Sequence, residues 1–248
     1  MSTATLLNTR PATQAVALSE LLEKAGYKSL FCPSIHIDLI KAAPPSLADF
    51  QFIFFVSANA VNSLADNWLE KFGTPIILPD SVTCFAIGKA TARALANLGI
   101  DAKIPNNKFD TRTLMAEFSA NHFQGAACLI IKGEGGLPDL ADSLKQQGAQ
   151  VSEWVGYRRL AAEFCHQSWQ VFRQAAHPVL LASSFESWVA LADQITQSKE
   201  KNWLLQQDLI AFSERIANEI RAQGWLGRIE VVKIQSNQGV VETLKRLG

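Results

Sequence analysis

Short apolar runs alternate with longer amphipathic stretches along the whole chain. Thr5–Asn8 reads as a strand, and Ala12–Ala25 as a helix that Gly26 ends. Leu30–Ile40 reads as extended, with Pro33 inside it. Phe52–Val56, aromatic and β-branched, suits a buried strand, and Asn59–Phe72 is a helix closed by Gly73. Strand Val82–Ile87, helix Lys89–Leu98 stopped by Gly99, and short strand Ala102–Ile104 follow. Then come helix Thr111–Phe118 with Asp110 as its cap, strand Cys128–Lys132, helix Pro138–Gln147 and extended Gln150–Arg159. The remainder predicts strand Val179–Ala182, helix Phe185–Ile195, strand Leu209–Phe212, helix Glu214–Gln223, strand Ile229–Ile234 and helix Gly239–Leu247. Continuously apolar strands alternating with helices indicate parallel sheets covered on both faces.

The two halves resemble each other. Phe85–Gly99 lines up without gaps on Ile210–Gly224, an offset of 125 residues. Ser57 matches Ser183 at an offset of 126, while Leu7–Arg10 matches Leu129–Lys132 and Gly26 matches Gly148 at 122. Agreement across separate elements implies one unit of about 124 residues occurring twice. It predicts two similar α/β lobes with a cleft between them.

Composition narrows the function classes. Lys plus Arg and Asp plus Glu both number 23 in 248 residues, and each half is itself balanced, so no basic surface for nucleic acid is indicated. No apolar run approaches the ~20 residues of a membrane span, and the N-terminus lacks a signal-peptide pattern. Cys32, Cys84, Cys128 and Cys165 are scattered without CxxC spacing and read as unpaired, small, mostly core residues, which points to the cytoplasm. The four histidines have no metal-ligand spacing. His166 and His177 fall in a polar connecting stretch and read as solvated.

Ligands of open α/β sheets bind beyond the C-terminal strand ends. Those ends carry Thr9, Arg10 and Pro11; Ser57, Ala58 and Asn59; Gly88, Lys89 and Thr91; and Lys132, Gly133, Glu134, Gly135 and Gly136. Later strands add Ser183 and Ser184, Ser213 and Arg215, and Ser236 and Asn237. Hydroxyls, small residues and a few cations beside helix N-termini suit a ligand with many negative groups. Ser57, Ser184 and Ser213 read equally well as ordinary N-caps. No P-loop, GxGxxG or GxSxG motif is present. Tyr157, one of two tyrosines, lies near the end of the extended Val151–Arg159 segment. It is either a packed strand residue or a phenol that donates a hydrogen bond to a ligand.

Taken together, the chain resembles the uroporphyrinogen-III synthase family over nearly its whole length. The pieces are Thr9-Arg10-Pro11, Ser57–Val61, Ala86–Thr91 and Leu129–Gly136. Gly148–Val151 leading to Tyr157–Arg159, Ser183–Glu186, and Phe212–Ala217 leading to Gly224-Trp225 complete them. Each motif is weak, and their order and spacing carry the match. The resemblance implies two doubly wound, parallel-sheet (Rossmann- or flavodoxin-like) domains joined by a two-stranded β linker, with the active-site cleft between them. It replaces the tandem split by a discontinuous domain of residues 1–34 and 167–248 and a second of 40–155, with linkers at about 30–40 and 150–159.

The family's reaction converts hydroxymethylbilane, a linear tetrapyrrole with eight carboxylates, into uroporphyrinogen III. Water is lost and ring D is inverted through a spiro intermediate. The resemblance implies no cofactor and no metal, a monomer, and a transient hand-over from the upstream hydroxymethylbilane-forming enzyme. It also implies Tyr157 as the catalytic group at the departing hydroxyl. The expected substrate-binding residues are Arg10, Ser57, Asn59, Gly88, Thr91, Lys132, Gly133, Ser183, Ser184, Ser213 and Arg215. Two departures stand out. Ile216 cannot supply the hydroxyl that relatives often carry at that helix start. Lys132 replaces a common arginine and loses its bidentate grip on a carboxylate. The competing reading is a non-catalytic, two-lobed α/β protein that binds small anions.

Overall fold

The structure is a computed structural model that describes residues 4–105, 111–119, 121–135 and 138–247. In chain order, β1 (Thr5–Asn8), α1 (Ala12–Lys24) and β2 (Lys28–Phe31) are followed by β3 (Ile35–Leu39). Next come β4 (Phe52–Phe55), α2 (Ala58–Phe72), β5 (Thr83–Ala86), α3 (Lys89–Ala96) and α4 (Thr111–Ala116). Then β6 (Ala127–Gly133), α5 (Asp139–Gln146), β7 (Gln150–Ala161) and α6 (His166–Arg173). The chain ends with β8 (Pro178–Ala182), α7 (Phe185–Gln194), α8 (Ser198–Leu204), β9 (Asp208–Ala211), α9 (Glu214–Ala222), β10 (Ile229–Val231) and α10 (Asn237–Leu247).

Two compact units result. Unit 1 comprises Met1–His36 and Leu160–Gly248, and unit 2 is Ile37–Arg159. The unit 1 sheet has the order β10-β9-β8-β1-β2, with parallel pairing throughout. Numbered locally, this is the 2-1-3-4-5 flavodoxin-like order. The unit 2 sheet has the order β3-β7-β6-β4-β5, and Lys103 adds a parallel bridge beside Phe85. Matching β7, β6, β4, β5 and Lys103 to β2, β1, β8, β9 and β10 reproduces the unit 1 order. Unit 2 is therefore the same sheet with its strands permuted along the chain. The repeat that is tandem in sequence is thus distributed crosswise, each unit drawing strands from both halves.

The strands are buried because helices cover both faces. Leu6, Leu7, Val179, Leu180, Leu209 and Ile210 are fully buried in unit 1, as are Ile53, Phe54 and Ile131 in unit 2. Burying one such side chain contributes roughly 1.5–3 kcal/mol. Unit 2 also stacks Phe54 on Phe85, with ring centroids 4.9 Å apart. Gly26 and Gly148, matched in the repeat, end α1 and α5 with positive φ of 82° and 79°. Glycine adopts that backbone without penalty.

Several expectations are corrected. Leu30–Ile40 is not one extended segment: β2 and β3 lie in different sheets, broken at Cys32-Pro33-Ser34. The polar stretch after residue 165 forms α6, whose Trp169 and Phe172 are buried. Ala102–Ile104 reduces to the Lys103 bridge. Asp110, expected to cap a helix, lies outside the described residues. His177 is paired with Asp208 at 2.8 Å, whereas His166 is exposed. Cys32 and Cys165 are not unpaired: they form a disulfide across 133 residues, with Cα atoms 5.2 Å apart. Only Cys84 and Cys128 are free and buried.

Candidate functional site

In each sheet the winding direction reverses between one pair of neighbouring strands, where a crevice opens beyond the strand ends. In unit 1 the pair is β1 and β8, in unit 2 β6 and β4. The expected residues are best judged against these two places.

At the unit 2 reversal, Ser57 follows β4 and N-caps α2, its Oγ accepting from the Ala60 amide at 3.1 Å. The same Oγ lies 2.9 Å from the Tyr157 phenolic oxygen. Gly133, at the end of β6, packs under the Tyr157 ring. A Cβ there would sit 2.5 Å from Cζ and 2.6 Å from Cε2. The smallness of Gly133 therefore serves the close seating of the ring. The Glu134 amide donates to the Tyr157 carbonyl at 2.8 Å, and Arg159 lies over the ring at 5.7 Å. Tyr157 is only 1% exposed, so it is a packed strand residue, and its hydroxyl is hydrogen-bonded within the protein to Ser57. Its accessible neighbour is the half-buried Ser57.

Other unit 2 residues are placed differently from expectation. Lys132 is not a free cation: its Nζ is 3.2 Å from a Glu153 carboxylate oxygen on neighbouring β7. Thr91 faces the core of α3 and is 4% exposed. Gly88 takes the N-cap position of α3 with an extended backbone, and Asn59 lies half-buried in the first turn of α2.

At the unit 1 reversal, Arg10 follows β1. It donates from Nη1 to the Asn237 side-chain oxygen at 2.7 Å and from Nη2 to Gln14 at 3.0 Å. Its guanidinium lies 5.2 Å from the Phe212 ring centroid. Its Nε is buried with no hydrogen-bond partner, and burial pushes the guanidinium pKa down. Among the described residues no carboxylate pairs with it. A desolvated cation held only by neutral groups is prepared to receive an anion. Gln14 and Phe212 were not expected, and Asn237 was expected at a strand end but not as a binding residue. Gln14 could have been found from its i+4 spacing to Arg10.

Ser184 caps α7 through the Ser187 amide at 3.1 Å, and Ser213 caps α9 through Ile216 at 3.3 Å. The structural counterpart of Ser57 is thus Ser184, one residue beyond the Ser183 of the sequence match. Ser183 is half-buried beside it. Arg215 is not turned to the strand ends: it is exposed and binds Glu219 along the surface of α9 at 2.8 Å. Ile216 is 5% exposed and belongs to the core, which accounts for an apolar residue there. Among the described residues no cluster could hold a metal ion, and no helix is long and apolar enough to cross a membrane.

Comparison with known proteins agrees with this architecture. A family model described as uroporphyrinogen-III synthase HemD matches residues 16–233. The chain is 28% identical over 249 residues to the uroporphyrinogen-III synthase of Salmonella typhimurium, covering 97% of this chain and 99% of that one. The Escherichia coli uroporphyrinogen-III synthase is also 28% identical, over 254 residues, with the same coverage of each chain. Among solved structures, uroporphyrinogen-III synthetase from Helicobacter pylori superposes with a TM-score of 0.66 at 14% identity, covering both chains fully. A mutant uroporphyrinogen III synthase from Thermus thermophilus gives 0.61 at 15%, covering 99% of this chain and 98% of that one. At those identities the structural likeness concerns the fold.

Proposed function

Because the chain belongs to the uroporphyrinogen-III synthase family, we propose that its strand-end residues hold hydroxymethylbilane while the protein closes it to uroporphyrinogen III. The family's reaction is a cofactor-independent cyclising dehydration in tetrapyrrole biosynthesis. The family match displaces the competing reading of a non-catalytic anion-binding protein.

The observation that carries the site assignment is the Ser57–Tyr157 hydrogen bond at the unit 2 reversal. A hydroxyl oxygen has two acceptor sites and one proton. Ser57 Oγ already accepts from the Ala60 amide. If it also accepts from the Tyr157 phenol, its own proton points outward, free for the departing hydroxyl of the substrate. In this reading Tyr157 supports the leaving group through Ser57, and the buried phenol strengthens the donor that the substrate meets. Loss of water leaves an azafulvene cation, which the substituted carbon of ring D attacks to give the spiro intermediate. Much of the catalysis is then geometric, because holding the chain so that this carbon is in reach replaces an improbable encounter.

Arg10 is the proposed receptor for one carboxylate arm, with Asn237 and Gln14 orienting its guanidinium. The helix starts at Ser183, Ser184, Ser213, Gly88 and Asn59 offer amides and hydroxyls to further arms. Lys132 and Arg215 are neutralised by Glu153 and Glu219 and are left out of the proposed carboxylate receptors, and Gly133 contributes by seating Tyr157. Thr91 serves through the packing of α3.

The test is a double-mutant cycle with Ser57→Ala and Tyr157→Phe, scored by the rate of isomer III formation. Each single change removes one link of the same chain, so each is expected to slow turnover about two- to tenfold, as for one lost hydrogen bond. The double variant is expected to be no slower than the worse single one. Full activity in Tyr157→Phe would remove the phenol from the mechanism, and additive losses would separate the two hydroxyls.

A further inference from the structure

The Cys32–Cys165 pair encloses the whole of unit 2. Cys32 follows β2 and precedes the first passage of the chain into unit 2, and Cys165 follows the return passage and precedes α6. Both lie in unit 1. The two passages are also hydrogen-bonded locally: the Ser34 amide donates to the Thr9 carbonyl at 3.2 Å, and the Ala162 amide to the Ser34 carbonyl at 3.0 Å. We propose that Cys32 and Cys165 form a reversible thiol–disulfide switch, operated by low-molecular-weight disulfides and thiols, that fastens these two passages together.

The two sulfurs differ in access. Cys165 is half-buried at the N-cap of α6, whereas Cys32 is 1% exposed. Cys165 is thus the attacking residue and Cys32 the resolving one. The Cys165 thiolate attacks one sulfur of a small disulfide such as oxidised glutathione, whose S–S bond breaks as a thiolate leaves. The Cys32 thiolate then attacks the Cys165 sulfur and expels the second thiolate. Two protein thiols are oxidised, one small disulfide is reduced to two thiols, and the two protons go to the departing thiolates. The chemistry selects this pair, because Cys84 and Cys128 are buried and burial pushes their thiols up to about 12 and about 11.

Because β3 and β7 are neighbours in the unit 2 sheet, folded unit 2 already holds the far ends of the passages close, so the cross-link adds less than its sequence separation alone would give. With unit 2 folded, the effective loop shrinks from the full 133-residue separation to residues 32–36 and 160–165, about eleven in all. Reduction is then expected to speed amide exchange at Ser34 and Ala162 by up to about a hundredfold, where exchange requires the passages to part.

The experiment incubates the whole folded protein with oxidised glutathione, then alkylates it in denaturant and maps its peptides. The expected result is two alkylated thiols, Cys84 and Cys128, and one cross-linked peptide joining Cys32 to Cys165. Dithiothreitol added to the folded protein restores four thiols. In Cys32→Ser, a glutathione adduct persists on Cys165 because nothing resolves it. Four free thiols after oxidation, or a lasting glutathione adduct on wild-type Cys165, would overturn the pairing. A cross-link that resists dithiothreitol, or equal exchange of the two amides in both redox forms, would overturn the switch. None of these readouts depends on the synthase reaction.

Discussion

Gly133→Ala tests the link between packing and chemistry at one position. The added Cβ would lie 2.5 Å from Cζ of Tyr157, where ordinary contact begins at 3.4 Å, so the ring must withdraw by roughly 1 Å. The ring is 1% exposed, so the shift must be made within the packed interior. Overpacking of this kind costs about 1–3 kcal/mol. At about 2–4 °C per kcal/mol, the melting temperature should fall by roughly 2–12 °C. The same withdrawal stretches the 2.9 Å Ser57–Tyr157 contact toward the limit of a hydrogen bond. Isomer III formation should therefore drop about as far as in Tyr157→Phe, roughly two- to tenfold. Adding Tyr157→Phe to Gly133→Ala should reduce the rate no further. The assays are calorimetry and chromatographic separation of the uroporphyrinogen isomers. Wild-type melting together with wild-type isomer III formation would refute the reasoning, because the ring would then have moved without consequence.

Other predictions follow from the same geometry. Arg10→Gln removes the unpaired cation while keeping polar contacts to Asn237 and Gln14, so KM for hydroxymethylbilane should rise several-fold, about as for one charge-assisted hydrogen bond, with a smaller change in kcat. An unchanged KM would exclude Arg10 from carboxylate binding. The raised thiol pKa values of Cys84 and Cys128 mean that the unfolded chain releases these protons first as pH rises. Their contribution to stability is complete below the ordinary thiol value of 9.0 and is lost as pH climbs toward about 11 and about 12. Urea unfolding across that window should show the decline, which a Cys84→Ala, Cys128→Ala variant should lack. An equal decline in the variant would assign it to other groups.

Much of the fold was legible because its signals are local. The apolar runs at Leu6–Leu7, Phe52–Phe55 and Val179–Ala182 are strands buried on both faces, and Ser57, Ser184 and Ser213 cap helices as their residue type suggests. What escaped has two physical origins. The helices α6 and α8 are short and polar in composition, and their burial comes from tertiary packing around Trp169, Phe172 and Trp203. The other misses join residues far apart in the chain. Ser57 meets Tyr157 from 100 residues away, Arg10 meets Asn237 from 227, and Cys32 meets Cys165 from 133. Local pattern fixes none of these pairings. Lys132 illustrates the difference: its place at a strand end was readable, but its ion pair with Glu153 depends on the register of β6 against β7. The repeat between the halves was also visible, whereas its crosswise distribution follows from the strand order.

The most direct test of the account supplies hydroxymethylbilane to the purified protein and separates the isomers formed. Closure without an enzyme gives uroporphyrinogen I. The account predicts predominantly uroporphyrinogen III with no cofactor added. Only isomer I, from protein whose fold is verified by circular dichroism, would contradict it.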